Sequence, residues 1–245
     1  MHISDFRTHS VQHLKKLATA ALFAALAYVA MFVTSWIKVG FLTFDAKDTV
    51  ITLAGLLFGP LYSLAISLVV ATIELITVGD TGFYGFFMNF LSSAVFSTVC
   101  ALIYKYKKNI LGAVVGLLSA CLSMTAVMLL FNLFIVPLYT PGITTEAVAT
   151  MIPTLFLPFN LTKGFLNASL VLILYKPFSK ALKAARILPS ASLESDKQDE
   201  ISAKQKKKKN MVFSLVVTCI GIIVAVLCFV VFFVILDGQF VPIGQ

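Results

Sequence analysis

Five polar side chains lie inside stretches that are otherwise apolar: Glu74, Asn89, Asn132, Asn160 and Lys163. Ionisable and amide groups are costly at membrane depth and usually face a bundle interior or a wet cavity. Their chemistry is recognition through amide and charge-assisted hydrogen bonds. Asn160 and Lys163 are three residues apart and share a helix face, so the pair carries more weight than either member. Bland roles compete with binding: Asn89 can bond a neighbouring helix, Lys163 can snorkel, and Glu74 can pair with Lys163 or reach the interface. Turnover has less support. Glu74 is read as the single intramembrane acid and so lacks a carboxylate partner, and no GxSxG or GxxxxGK[ST] motif occurs. His9 and His13 have i,i+4 spacing, with His2 nearby, but no third ligand of matching depth accompanies them. Cys100, Cys121, Cys219 and Cys228 fall in apolar runs and read as small hydrophobes. No catalytic residue, resident cofactor or metal is therefore expected.

The elements that carry these groups follow from composition. The 245 residues are 59% hydrophobic and 12% charged, with a mean hydropathy of +0.97, which makes a bilayer the expected solvent. Apolar runs at about 17–37, 46–59, 61–78, 83–104, 110–138, 153–175 and 212–236 give seven candidate helices. Phe58-Gly59-Pro60 joins the second and third, either as a reversal or as a kink in one long helix. Charge favours the reversal. It gathers Arg7, Lys15 and Lys16, then Lys105, Lys107 and Lys108, then the basic stretch from Lys176 to Lys209 on one side, the cytoplasmic one. Asp45, Asp48, Asp80, Glu146 and Asp237 fall opposite with only Lys38 and Lys47. The amino terminus is then cytoplasmic and the carboxyl terminus outside. The net charge of +8 is assigned to lipid headgroups rather than nucleic acid.

In this topology all five buried polar residues share the outer leaflet, as an outward-facing pocket requires and a continuous pore does not. The outer loops add Trp36, Phe41, Leu42 and Phe44 in the first and Leu138, Tyr139 and Pro141 in another, of which Phe44-Asp45 is favoured for function. The first helix carries small residues at four-residue spacing, Ala20 with Ala24 and Ala21 with Ala25, a surface that allows close helix approach in lipid. Three divisions are expected: a six-helix membrane domain at 1–180, a charged linker at 181–210, and a further spanning helix at 211–245.

The segments FDAKDTVITLAGLLFGP at 44–60, GFYGFFMNFLSSAVF at 82–96 and LPFNLTKGFLN at 157–167 together resemble the riboflavin-specific substrate-binding (S) component of energy-coupling-factor (ECF) vitamin transporters. The likeness covers about residues 14–180. It implies an all-α integral membrane protein, a six-helix bundle with one additional carboxyl-terminal helix that departs from the family plan. It also implies a non-enzymatic subunit of the plasma membrane that captures riboflavin from outside; the charge of Lys163 would also allow its mononucleotide. The ligand set it implies is Leu42, Phe44, Asp45, Asn132, Asn160 and Lys163, to which the depth argument adds Asn89. Ala20 and Ala24 would dock on a transmembrane coupling protein that works with two ATPases. Other readings are an S component for thiamine or pantothenate, a membrane-embedded lipid enzyme dependent on Glu74, and a scaffold without ligand.

Overall fold

The computed structural model describes residues 3–79, 81–184 and 200–240. Eight helices and three short strands follow one another: α1 (Ile3–Thr34), β1 (Ile37–Val39), β2 (Leu42–Thr43), α2 (Lys47–Phe58), α3 (Pro60–Thr77), α4 (Gly82–Tyr106), α5 (Ile110–Tyr139), α6 (Thr145–Met151), α7 (Leu157–Ala184), α8 (Glu200–Val230) and β3 (Gln239–Phe240). Among the described residues six segments are long and apolar enough to cross a bilayer; α2, at twelve residues, is too short. Their outward surfaces are rich in exposed Leu, Ile, Val and Phe, such as Leu61, Ile76, Leu122 and Ile223, as expected where lipid is the solvent.

Gly59-Pro60 reverses the chain. Gly59 has φ +109°, a backbone state that L side chains rarely adopt, and Pro60 opens α3 at the position where a missing N–H costs nothing. A Cβ placed on Gly55 would lie 2.9 Å from the Ser63 Cβ. Residues eight apart in one helix would be about 12 Å apart along its axis. The kinked-helix alternative is therefore excluded, and Gly55 is where α2 and α3 come closest.

α2 is the hub of the bundle. It packs against α1, α3, α4 and α7, and ten of its twelve residues, Lys47 through Leu56, are buried. Ile51, Leu53 and Ala54 join Phe23, Val70, Phe96, Leu117 and Met124 in the main apolar core. α8 packs chiefly along α7.

Several expectations change. The sixth apolar run does not begin at Pro153: one continuous apolar segment extends from Thr145 to Ala181, through a π-helical turn at Ile152–Phe156 that accommodates Pro153. The linker expected at 181–210 is helical at both ends, to Ala184 and again from Glu200; residues 185–199 lie outside the described ones. The helical plan also gains a small antiparallel sheet of order β2-β1-β3. Its hairpin has Lys38 opposite Thr43 and Val39 opposite Leu42, and Gly40 with φ +57° begins the two-residue turn. β3 pairs with the free edge of β1, setting Ile37 opposite Phe240 and Lys38 opposite Gln239.

Candidate functional site

The start of α2 carries Asp45, Lys47 and Asp48, which the charge pattern had set on the outer side with only Asp45 marked for the site, into the protein interior. They are 4%, 1% and 1% exposed. Buried charge persists only when paired and hydrogen-bonded, and here the partners come from three other helices. The Lys47 Nζ donates to both Glu74 oxygens of α3 at 2.8 Å and lies 3.6 Å from Asp45 Oδ2. The Lys163 Nζ of α7 donates to Asp45 Oδ2 at 3.0 Å and lies 4.0 Å from Asp48 Oδ2. Ser93 of α4 donates its hydroxyl to Asp48 Oδ1.

Asn167, one helical turn beyond Lys163, ties the network to the backbone. Its Oδ1 accepts from the Thr49 amide at 3.2 Å and the Thr49 hydroxyl at 2.7 Å. Its Nδ2 donates to the carbonyls of Asp45 at 3.2 Å and Lys163 at 3.1 Å. Burial by itself would raise the Asp45 carboxyl, but the ammonium groups of Lys163 and Lys47 outweigh it and hold Asp45 below the ordinary carboxylate range.

A cavity of about 610 Å³ opens beside this network, within the size range of small-molecule sites. Met31, Met88, Met128, Phe86 and Phe159 supply apolar wall, while Asn89, Asn132, Asn160 and Lys163 supply polar groups. The hairpin contributes Gly40, Phe41, Leu42 and Thr43 at one side. Asn160 donates Nδ2 to the Phe156 carbonyl at 2.8 Å, which anchors the amide against the π-helical turn. Asp45 Oδ1 and Ser92 Oγ are buried with no hydrogen-bond partner among the described residues, and both residues line the cavity. Such groups are the ones a ligand can satisfy.

Of the seven residues expected to meet a ligand, Leu42, Asp45, Asn89, Asn132, Asn160 and Lys163 line the cavity. Phe44 does not. Its ring is 2% exposed and turns away to meet Phe232, beyond α8, at 5.7 Å between centroids. Glu74 is the partner of Lys47, not of Lys163. Ala24 is 5% exposed and belongs to the core, with Ala20 at its margin; the exposed small pair of α1 is Ala21 and Ala25. His2 and the side chains of His9 and His13 lie outside the described residues.

Sequence reasoning missed Lys47, Asp48, Thr49, Ser93 and Asn167 as site builders. Their signal was present: three ionisable residues in four positions at the head of an apolar helix, and an Asn four residues after Lys163 on the same face.

An apolar cavity with a few fixed polar groups, set at one end of a membrane helix bundle, defines a small-molecule-binding membrane protein. The chain belongs to the ECF transporter substrate-specific component family, whose model matches residues 15–175. It is 30% identical over 185 residues to the riboflavin transporter RibU of Staphylococcus aureus (strain TCH60), covering 72% of this chain and 97% of that protein. It is 27% identical over 186 residues to the riboflavin transporter FmnP of Bacillus subtilis (strain 168), covering 71% and 98% respectively. A solved S component of a bacterial ECF transporter superposes with a TM-score of 0.57 at 30% identity, over 70% of this chain and 99% of that one. The chain is thus a multi-pass membrane component of an ECF importer.

Proposed function

We propose that this chain captures riboflavin from outside the cell and delivers it inward when joined to a transmembrane coupling protein and two ATPases. The carrying observation is the 610 Å³ cavity, in which Asn132, Asn160 and Lys163 from α5 and α7 stand over apolar wall. A flat ring system fits such a wall, and amides and an ammonium can satisfy ring carbonyls and side-chain hydroxyls. The names of the relatives point to the same vitamin.

Charge favours the uncharged vitamin over its phosphate. Of the ammonium groups that line the cavity, Lys47 is held by Glu74 and Lys163 by Asp45, with Asp48 4.0 Å from Lys163. A dianionic phosphate gains little from ammonium groups that carboxylates already hold. Orientation follows from the basic residues at the far end of the bundle: Lys108 and Lys176 border a recess there, and such clusters favour the cytoplasmic side. The cavity then faces outward, with the amino terminus inside and the carboxyl terminus outside. For docking on the coupling protein we assign the exposed Ala21 and Ala25 flank of α1, with Ala20 at its edge.

The test is quenching of riboflavin fluorescence by the detergent-purified protein, with thiamine, pantothenate and riboflavin phosphate as competitors. Riboflavin alone should compete strongly. Changing Asn160 and Lys163 together to Ala should weaken binding at least ~100-fold, since two polar contacts are lost, one of them charged. Absence of quenching by the intact protein would overturn the riboflavin assignment.

A further inference from the structure

The relatives end where α8 begins to matter. They are matched over 97% and 98% of their own lengths by less than three quarters of this chain, and the family match stops at residue 175. α8 and β3 must therefore be explained by what they touch. Most of α8 is exposed: in its apolar segment Leu215–Ile235 only 22% of residues are buried. Apart from Gly221, which faces α7, its buried residues gather at the cavity end. Phe232, 1% exposed, sits in a π-helical turn at Val231–Ile235 that continues α8. Its ring lies 5.7 Å from both Phe44 and Phe159 between centroids, with Cys228 and Leu236 completing the cluster.

Both contacts adjoin the site. Phe44 precedes Asp45, which holds Lys163, and Phe159 lines the cavity and precedes Asn160. Beyond Phe232 the chain turns at Asp237, φ 52°, and β3 adds itself to β1. The hairpin whose Gly40, Phe41 and Leu42 border the cavity is thereby held along its outer strand. It cannot swing from the cavity without either breaking the β1–β3 pairing or drawing the end of α8 with it.

We infer that α8 and β3 form a strap that positions the 37–44 hairpin over the cavity, with Phe232 as the positioning residue, so that ligand exchange requires the strap to let go. This rests on the reading of the cavity as the ligand site. The strap acts on a barrier, so it slows entry and exit together. Damage to the site itself would instead raise the exit rate and lower affinity.

The test uses the full chain in two forms. Phe232→Ala should speed amide hydrogen exchange across 37–44 in the ligand-free protein and raise both the association and dissociation rates of riboflavin by about tenfold, with affinity nearly unchanged. Phe232→Leu, which keeps apolar bulk, should restore most of the protection. Lys38→Cys with Gln239→Cys joins residues paired across β1 and β3, a separation a disulfide spans. Once oxidised it should slow both rates, and reductant should reverse the effect. Unchanged exchange at 37–44 in Phe232→Ala would overturn the strap, as would a disulfide confirmed by mass that leaves both rates unaltered. A rise in the dissociation rate alone would overturn the gating role. If the unaltered protein does not bind riboflavin, the ligand assignment falls, whereas the exchange measurement still decides whether the strap holds the hairpin.

Discussion

α2 and α8 make opposite use of the membrane. α2 is too short to span it, begins with two charged residues, and is buried along ten of its twelve residues. α8 contributes the most hydrophobic segment among the spanning helices, mean hydropathy 3.2, and buries 22% of it. In water the apolar helix would be inside and the charged one outside. In lipid the order inverts, because apolar side chains lose nothing by facing hydrocarbon whereas Lys47 and Asp48 need the partners that only other helices supply. Polarity marks the interior of this bundle better than hydrophobicity does.

The comparison breaks most severely at Lys47. Replacing it by Ala removes the ammonium from between Glu74 and Asp45 and leaves the Glu74 carboxylate buried without its donor. Removing one member of a buried ion pair typically costs about 3–5 kcal/mol, so Lys47→Ala should fold poorly or melt far below the unaltered protein in detergent. Adding Glu74→Gln should recover part of the loss, because the charge left behind is then removed. A Lys47→Ala protein with undiminished thermal stability would show that the pair contributes little to holding α2 in place.

Gly55 sharpens the contrast on the apolar side of α2. A methyl group there meets Ser63 Cβ at 2.9 Å and Ala101 Cβ at 3.0 Å, neither of which is a flexible end. Overpacking of this kind costs about 1–3 kcal/mol. Gly55→Ala should lower thermal stability measurably while changing riboflavin binding less, since Gly55 lies toward the Gly59 turn, away from the cavity. A binding loss exceeding the stability loss would mean that α2 transmits strain along its length to Asp45.

How much of this was legible in the sequence divides along the same line. The spanning runs, the Gly59-Pro60 reversal and the outer-end convergence of Asn89, Asn132, Asn160 and Lys163 follow from hydropathy, turn chemistry and depth, all of which are local. The pairing of Lys47 with Glu74 and of Lys163 with Asp45 is not local, since it depends on which helix faces which across 27 and 118 positions of chain. Lys47 and Asp48 were counted only in the charge balance of the outer side, since nothing local says that a twelve-residue helix has protein on every face. Phe44 was expected to meet the ligand as part of the loop beside the short helix, yet its ring answers to Phe232, nearly 190 positions away. Ala24 illustrates the same limit: four-residue spacing identifies a small-residue face but not whether the face looks inward or to lipid.

The smallest effect belongs to the exposed face of α8. Ile223 is 59% exposed and lies amid other exposed aliphatic residues, including Ile222, Val226 and Leu227. Shortening it to Ala exchanges a side chain in contact with lipid for more lipid, leaving no cavity and no unpaired polar group. Surface changes away from such features usually fall within about 0.5 kcal/mol, so Ile223→Ala should match the unaltered protein in melting temperature and riboflavin affinity. The same truncation at Phe232, nine residues further along, removes a ring lodged between Phe44 and Phe159 and should loosen the hairpin. If Ile223→Ala did shift thermal stability by several degrees, this face of α8 would be covered by protein in the purified species, and the contrast with α2 would narrow to a difference in partner rather than in solvent.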